Sequence, residues 1–178
     1  MKELKVKYLD DSIEKKMSLP RSGDVGIDLY SAEDIHISKG EVALVSLGIA
    51  VEIPAGFWLY IRDRSSISKY CQISAGIIDS SYRGALKVRM FCHTGRDTVE
   101  EVRRVDPCDL PYSMRPIGPK IEYVDKTFHI PGFKIQRGDK IAQMILCKDY
   151  NSEFNLIEVP TLSDTERGSG GFGSTGKK

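Results

Sequence analysis

Short apolar runs separated by turn-forming residues recur along most of the chain. Seven of these runs have the length and the apolar or alternating character of β-strands; they lie at 4–9, 42–45, 49–53, 57–61, 73–78, 86–91 and 141–147. Breakers rich in glycine, proline and aspartate separate them, at 22–24, 39–40, 54–56 and 137–139. The pattern predicts an all-β fold, a β-sandwich or barrel, with one short helix at 65–70.

Two regions depart from this pattern. The stretch 94–134 contains five of the eight prolines and few alternating runs, which predicts a long irregular insertion. The tail at 166–178 is too rich in glycine to form a strand or helix of its own, which predicts a flexible C-terminal arm. Within the glycine-rich run 167–176, Arg167 is the one cation and Phe172 the one ring, as expected of anchors that order on a ligand. We therefore expect one β domain at 1–165, with the insertion at 94–134, followed by the arm.

The segment 76–88 offers the most specific chemistry. Its apolar ends predict two short strands paired as a hairpin, and the turn formers between them include Asp79. Tyr82 follows Asp79 by three residues, so a carboxylate and a ring share one turn. Two interpretations stay open for this segment alone: an ordinary surface hairpin with a capping aspartate, or part of a functional site.

Composition excludes several classes of protein. The 178 residues suit one domain, and 26 basic against 25 acidic residues give a net charge of +1, which does not indicate a nucleic-acid-binding or membrane-surface protein. The four cysteines and three histidines are scattered without a C-x-x-C pair, which argues against zinc and favours free, buried thiols. The chain starts without an apolar signal core and has no membrane-length apolar run, so we expect an intracellular, reducing compartment, cytoplasm or nucleus.

Five segments, in order along nearly the whole chain, resemble the motifs of the dUTPase (dUTP nucleotidohydrolase) family. They read DVGIDL at 24–29, RSSIS at 64–68, GIIDSSYRGALKV at 76–88, RGDKIAQMI at 137–145 and RGSGGFGSTG at 167–176. Each motif alone is weak, whereas five in the right order are a specific signal. The resemblance implies a jelly-roll-like β domain that assembles as a homotrimer with active sites shared between subunits.

The resemblance also implies hydrolysis of dUTP to dUMP and pyrophosphate, which lowers dUTP and supplies dUMP for thymidylate synthesis. Asp79 would activate the water that attacks the α-phosphorus. Magnesium (Mg2+) is the implied cofactor, held mainly by the substrate phosphates. Asp28 would either contact that ion through its water ligands or brace the 76–88 hairpin.

The implied substrate-binding residues come from four motifs. Ser65 and Gln143 would contact the inner phosphates, main-chain groups of Gly76, Ile77 and Ile78 would read the uracil, and Tyr82 would pack on the deoxyribose. Phe172 would stack over the base. The remaining members of the set are Arg64, Ser66, Lys87, Arg167, Gly173, Ser174 and Thr175, of which Arg167, Ser174 and Thr175 would hold the terminal phosphate. From the residues themselves, Arg64 could equally be a structural ion-pair residue, and Gln143 could simply bond the backbone.

Two other functions stay open at this point. Ser66 stands where the family usually has glycine, a feature of dCTP deaminases, which share the fold. Those relatives carry a catalytic glutamate immediately before the glycine that corresponds to Gly84, whereas this chain has Arg83, whose guanidinium stays protonated. The second alternative is a non-catalytic module that binds a nucleotide or a protein on the same fold.

Overall fold

The computed structural model describes residues 2–10, 13, 17–105 and 124–169. Twelve β-strands and one 3-10 turn make up the regular structure of these residues, which include no α-helix. The strands are β1 (Lys5–Tyr8), β2 (Ile27–Tyr30), β3 (Ile35–Ser38), β4 (Val42–Ser46), β5 (Ile49–Glu52), β6 (Phe57–Asp63), β7 (Cys71–Ser74), β8 (Ile77–Ile78), β9 (Lys87–Cys92), β10 (Asp97–Val105), β11 (Val124–Ile135) and β12 (Lys140–Lys148). The 3-10 turn spans Asn151–Glu153.

The strands form four antiparallel sheets, in the orders β1-β5, β10-β11-β3, β2-β12-β6-β8 and β4-β9-β7. One core cluster joins side chains from the last two of these sheets, such as Leu59 and Met144 from one and Val88 and Met90 from the other. Along β9 buried and exposed side chains alternate strictly, which is the period of two expected when one face of a strand is buried. The predicted all-β, jelly-roll-like fold is confirmed.

Several local predictions differ from the structure, which also has two strands, β2 and β3, that no predicted run covers. The run 73–78 is divided, because Ala75 adopts a φ of 56° and separates β7 from β8. The predicted helix at 65–70 is wrong: successive turns occupy this stretch, closed by hydrogen bonds from Ile67 N to Arg64 O and from Cys71 N to Ile67 O, both 2.9 Å. The stretch is too short to sustain a helix before β7 begins, and its serines are only moderate helix formers.

The insertion is more regular than expected. β10 and β11 pair over nine residues, from Asp97 opposite Gly132 to Val105 opposite Val124. The prediction of an irregular stretch is therefore wrong for these residues, while 106–123 lie outside the described residues. The apolar pattern does not predict these strands, because charged residues such as Glu100 and Arg103 occupy them. Backbone pairing rather than an apolar pattern defines the β10–β11 pair.

The predicted hairpin at 76–88 is also wrong as a pair of strands. Ile77 and Ile78 pair with Tyr60 and Leu59 of β6, whereas β9 pairs with β4 and β7. The residues between β8 and β9 therefore connect two different sheets. An apolar run predicts a strand but not its partner, which depends on long-range contacts.

The chain beyond the 3-10 turn is exposed throughout its described part, up to residue 169. Apolar side chains share this exposure, including Phe154 at 73% and Leu162 at 86%. Residues 170–178 of the predicted arm lie outside the described residues. Within the described part, no helix has the length and apolar character that crossing a membrane would require.

Candidate functional site

A polar cleft of about 670 Å³ lies at the ends of β2, β6 and β12. Three chain segments line it, because the strands that carry or precede them are neighbours in one sheet. The lining residues are Ser18, Leu19, Pro20, Arg21, Gly23, Asp24, Val25, Gly26, Asp28, Arg64, Ser65, Lys140 and Gln143. We call this the cation cleft, because three basic side chains face two carboxylates in it.

Asp28 joins two of these cations. Its Oδ1 lies 2.9 Å from Arg64 Nε, and its Oδ2 lies 2.7 Å from Lys140 Nζ. The hydrogen bond and the charge of Asp28 raise the pKa of the Lys140 ammonium, so this group stays protonated at neutral pH. The structural ion pair considered for Arg64 is therefore present. Asp28 braces the cation cleft, rather than the 76–88 segment as one prediction held.

Gln143 lies on β12 directly opposite Asp28 of β2 and Arg62 of β6. Its Nε2 donates a hydrogen bond of 3.3 Å to the Asp63 carbonyl oxygen, so the side chain does bond the backbone. A Cβ atom on Gly26 would overlap the Gln143 Oε1, so a larger residue at this position would displace the end of the Gln143 side chain. These contacts hold the Gln143 amide at the wall of the cation cleft.

The two serines of the second motif differ in position. Ser65 lines the cation cleft, whereas Ser66 is exposed beside it in the same turn and does not line it. The Ser65 carbonyl oxygen accepts a hydrogen bond of 3.1 Å from the Ser68 hydroxyl, which closes the turn. The turn thus presents the Ser65 side chain next to Arg64.

A second cleft, of about 540 Å³, lies against the segment that connects β8 with β9. We call it the apolar cleft; its lining residues are Leu44, Ile77, Ile78, Asp79, Tyr82, Ala85, Leu86 and Lys87. Asp79 is exposed there and also borders a neighbouring cleft of about 450 Å³ together with Phe57 and Trp58. The carboxylate predicted to act as a base is therefore open to solvent and ligand.

Hydrogen bonds within the connecting segment fix its shape. Tyr82 N donates to the Asp79 carbonyl oxygen at 3.1 Å, and the Tyr82 hydroxyl donates to the Ala85 carbonyl oxygen at 3.2 Å. Arg83 Nη1 donates to the carbonyl oxygens of Ser80 at 2.6 Å and of Tyr82 at 2.9 Å. The Tyr82 ring also occupies the space that a Cβ on Gly84 would need. The ring is held beside Asp79, while 44% of the residue remains exposed.

The two clefts lie at opposite ends of β6. Ile78 pairs with Leu59, which places Asp79 beside Phe57 and Trp58 at the start of this strand. Arg64 follows the last residue of the same strand. The six residue steps of extended chain from Trp58 to Arg64 span about 20 Å. The structure therefore groups Arg64, Ser65 and Gln143 in one place and the residues from Ile77 to Lys87 in another.

The predicted arm residues are only partly described. Arg167 is exposed within the described part of the chain, whereas Phe172, Gly173, Ser174 and Thr175 lie outside it. Lys140 is a cleft residue that the sequence interpretation missed. Its signal was its position in RGDKIAQMI, three residues before Gln143, where the family motif has arginine.

The cysteines that the structure describes are free thiols, as predicted. Cys71 and Cys92 are buried and Cys147 is partly buried, whereas Cys108 lies outside the described residues. In the described part of the chain, no group of three or more His, Cys, Asp or Glu side chains is placed to hold a metal ion. Both Asp28 oxygens contact cations, so a metal ion bound to this carboxylate would compete with Arg64 and Lys140 for it.

The fold and the clefts define an all-β protein with a cation-rich cleft suited to an anionic ligand and a separate apolar cleft that carries a carboxylate. A sequence model of the dUTPase family matches residues 15–105 and 119–176. The chain belongs to the dUTPase family, a family of hydrolases. The predicted family and enzyme class are thereby confirmed, and the deaminase and non-catalytic alternatives lose their support.

Similar proteins cover almost the entire chain. A deoxyuridine 5'-triphosphate nucleotidohydrolase of Clostridioides difficile is 35% identical over 99% of both chains. Another from Yarrowia lipolytica is 33% identical over 97% of this chain and 88% of its own length.

Solved structures extend the similarity to the fold. The dUTPase of Staphylococcus bacteriophage 80alpha with dUpNHpp superimposes with a TM-score of 0.73 at 25% identity, over 99% of this chain and 100% of its own. A mutant dUTPase from phage phi11 of S. aureus, described with a structural Mg(II) ion, has a TM-score of 0.59 at 24% identity over 93% of this chain and 97% of its own.

Proposed function

We propose that this protein hydrolyses dUTP to dUMP and pyrophosphate, with Asp79 as the base. The observation that carries the proposal is the position of Asp79, exposed in a cleft that Ile77, Ile78 and Tyr82 also line. A carboxylate there can accept a proton from a water molecule beside a bound nucleotide. The reaction lowers dUTP and supplies dUMP for thymidylate synthesis, and it requires neither nucleic acid nor a membrane.

Asp79 acts by accepting one proton from the attacking water. The water oxygen forms a bond to the α-phosphorus, and the bond from that phosphorus to the bridging oxygen of pyrophosphate breaks. General-base assistance of this kind contributes about 10² to 10⁴ in rate. The rest of the acceleration comes from positioning the triphosphate and from offsetting its charge.

The cation cleft holds the phosphates in this proposal. Arg64, the Ser65 hydroxyl and the Gln143 amide contact the inner phosphates, and Ser66 lies beside the cleft in the same turn. Arg21, Arg64 and Lys140 face Asp24 and Asp28, so the cations exceed the carboxylates by one charge. An excess of positive charge favours a polyanionic ligand over a neutral one.

The apolar cleft recognises the nucleoside. Main-chain groups of Gly76, Ile77 and Ile78 read the uracil edge, and Lys87 lines the same cleft. Tyr82 packs on the deoxyribose at the position that a 2′-hydroxyl would need. An apolar surface alone rejects an added hydroxyl by only about a hundredfold, so steric exclusion by the ring adds discrimination against UTP.

The C-terminal arm closes the site. Arg167, Gly173, Ser174 and Thr175 hold the terminal phosphate, and Phe172 stacks on the base. Removal of the residues after Thr165 should leave the midpoint of thermal unfolding almost unchanged and abolish most activity. A truncated protein with full turnover would contradict this role of the arm.

Magnesium binds together with the substrate in this proposal. The ion prefers several waters and phosphate oxygens over a cage of protein ligands, which fits a cleft whose Asp28 is already paired with two cations. When bound, it supplies positive charge to the triphosphate. Asp28 then orients Arg64 and Lys140 and does not ligate the ion directly.

The active protein is a homotrimer whose sites are shared between subunits. Two observations support this assembly. The first is that Asp79 and Arg64 lie at opposite ends of β6, about 20 Å apart, which is too far for both to act on one α-phosphate. In addition, the exposed apolar side chains from Phe154 to Leu162 are typical of a segment that packs on another chain. A second copy can bring its Asp79 to the cation cleft of the first.

A mixing experiment tests the shared site. Asp79→Asn and Arg64→Ala proteins should each lose most activity, and they are mixed, unfolded and refolded together. Shared sites restore activity, because about a quarter of the sites in a random equimolar mixture combine an intact Asp79 with an intact Arg64 from different chains. A mixture that stays as inactive as its components would place both residues in one chain's site.

The proposed reaction itself is tested by separating the products after incubation with dUTP, UTP, dCTP or dTTP and Mg2+. We expect dUMP and pyrophosphate from dUTP, and a loss of at least about a hundredfold in kcat for Asp79→Asn. The control is Glu52→Gln, which makes the same carboxylate-to-amide change at an exposed pair with Lys5. Deoxyuridine triphosphate formed from dCTP, or full activity of Asp79→Asn, would refute the proposal.

A further inference from the structure

With Lys140, the cation cleft has one more positive charge than negative charges. Arg21, Arg64 and Lys140 stand against Asp24 and Asp28. Without Lys140 these charges would cancel. A neutral cleft would attract a triphosphate less and would leave the Asp28 carboxylate shared with Arg64 alone.

The contacts of Lys140 connect it to Arg64 through one carboxylate. Its Nζ lies 2.7 Å from Asp28 Oδ2, while Arg64 uses Nε for the other oxygen, at 2.9 Å. Lys140 Nζ also lies 5.8 Å from the centroid of the Tyr30 ring. The 2.9 Å contact from Arg64 to Asp28 uses Nε, and the two terminal nitrogens of the guanidinium carry the other four of its five N–H donors.

We infer that Lys140 is a positioning residue for the triphosphate: it neutralises Asp28, so that Arg64 is oriented by this carboxylate and keeps its charge for the phosphates. The inference rests on the proposed function of the cation cleft. Without Lys140, Asp28 would repel the phosphates and would compete with them for Arg64. Lys140 thus acts through Asp28, without a phosphate contact of its own.

The direct test measures the dissociation constants of dUMP and of the α,β-imido analogue of dUTP, with Mg2+, by calorimetry. Lys140→Gln should weaken analogue binding by about tenfold and dUMP binding by less than about threefold, because the repulsion grows with the phosphate charge. Lys140→Arg should bind almost as the unmodified protein does. Equal weakening of both ligands, or no weakening of the analogue, would overturn the inference.

A double variant separates neutralisation of Asp28 from direct contact with phosphate. In a Lys140→Gln protein, the additional change Asp28→Asn removes the carboxylate that is left without its second cation. If Lys140 acts through Asp28, the double variant should recover at least half of the lost affinity on a logarithmic scale. Two losses that simply add would mean that Lys140 contacts the phosphates itself, which would refute its role as a positioning residue.

A matched control excludes a general loss of charge or of folding. Lys5→Gln removes a lysine from an exposed pair with Glu52 at 2.9 Å, and it should leave both dissociation constants unchanged. The thermal midpoint of each variant is measured in the same buffer. Because binding is measured without turnover, a protein that binds the analogue but does not hydrolyse dUTP would contradict the proposed function and leave the inference about Lys140 standing.

Discussion

The carbonyl oxygen of Ile61 occupies the position that a Cβ atom on Gly76 would need. The same two residues are joined by a hydrogen bond of 2.7 Å from Ile61 N to Gly76 O. Glycine is therefore required for the close approach of the two chain segments. This contact places the main chain of Ile77 and Ile78, which we propose to read the uracil, against the central strand β6.

We predict that Gly76→Ala destabilises the fold by about 2 kcal/mol, since the added methyl group forces the backbone of β8 away from Ile61. The dissociation constant of dUMP should rise as well, because the proposed uracil-reading groups move. Chemical unfolding and calorimetry measure the two effects. Gly56→Ala is the control: its φ of +79° strains an alanine, but its Cβ would meet no atom within 4 Å. Normal dUMP binding by Gly76→Ala would contradict the proposed role of this main chain.

The Tyr82 side chain is held by the hydrogen bond of its hydroxyl to the Ala85 carbonyl oxygen and by close packing of its ring on Gly84, which has no Cβ in the way. We predict that Tyr82→Ala lowers the ratio of kcat/KM for dUTP over UTP by at least about tenfold, because the ring no longer fills the position of the 2′-hydroxyl. Tyr82→Phe keeps the ring and should keep most of the preference. Steady-state kinetics with both nucleotides test this, and an unchanged ratio in Tyr82→Ala would remove the residue from selectivity.

Cys71 and Cys92 face each other across β7 and β9 and are both fully buried. Cys92 N and O bond to Glu41 and Gly40 on the β4 side, so towards β7 the two cysteines form a non-hydrogen-bonded pair, whose side chains lie close together. Burial, followed by the neighbouring Cys92 thiol, raises the pKa of Cys71 to about 12. The folded protein therefore keeps this thiol protonated at neutral pH.

This shift predicts a loss of stability in alkali. Above a pH of about 9 the thiol ionises in the unfolded chain but not in the folded one, so the unfolded state binds fewer protons and the free energy of unfolding falls as pH rises. Urea unfolding at pH 7.5 and 10.5 should show a larger fall for the unmodified protein than for Cys71→Ala, whose overall stability is lower because of the cavity. Equal falls in both proteins would contradict the prediction.

Arg96, at the start of the insertion, lies over two stacked rings: Tyr70 in the turn after Arg64 and Phe133 in β11. Its guanidinium carbon is 4.6 Å from the Phe133 ring centroid and 5.6 Å from that of Tyr70, and these two rings stack at 5.5 Å. We predict that Arg96→Met lowers the free energy of unfolding by about 1 kcal/mol. Arg62→Met removes a more exposed cation from the Tyr60 ring and should cost less. Equal effects of the two changes would show that the stacked pair gives Arg96 no additional role.

Local sequence patterns were sufficient for part of the fold. The apolar run at 86–91 predicted β9, in which Val88, Met90 and Cys92 are buried, and most of the other apolar runs likewise became strands. The prediction failed where pairing rather than burial maintains a strand, as in the charged β10. It also failed for the partners of β8, because Ile77 and Ile78 carry no information about which strand they will meet.

The sequence by itself determined the all-β class and the five motifs that resemble the dUTPase family, because both depend on residue type and on spacing along the chain. The tertiary structure decided that Asp79 and Arg64 lie at opposite ends of β6, and that Asp28 holds Arg64 and Lys140 together. These relationships arise from strand order and from the contacts of charged groups that are distant in sequence. A periodic pattern is local, whereas pairing and electrostatic partnership form only when the chain is folded.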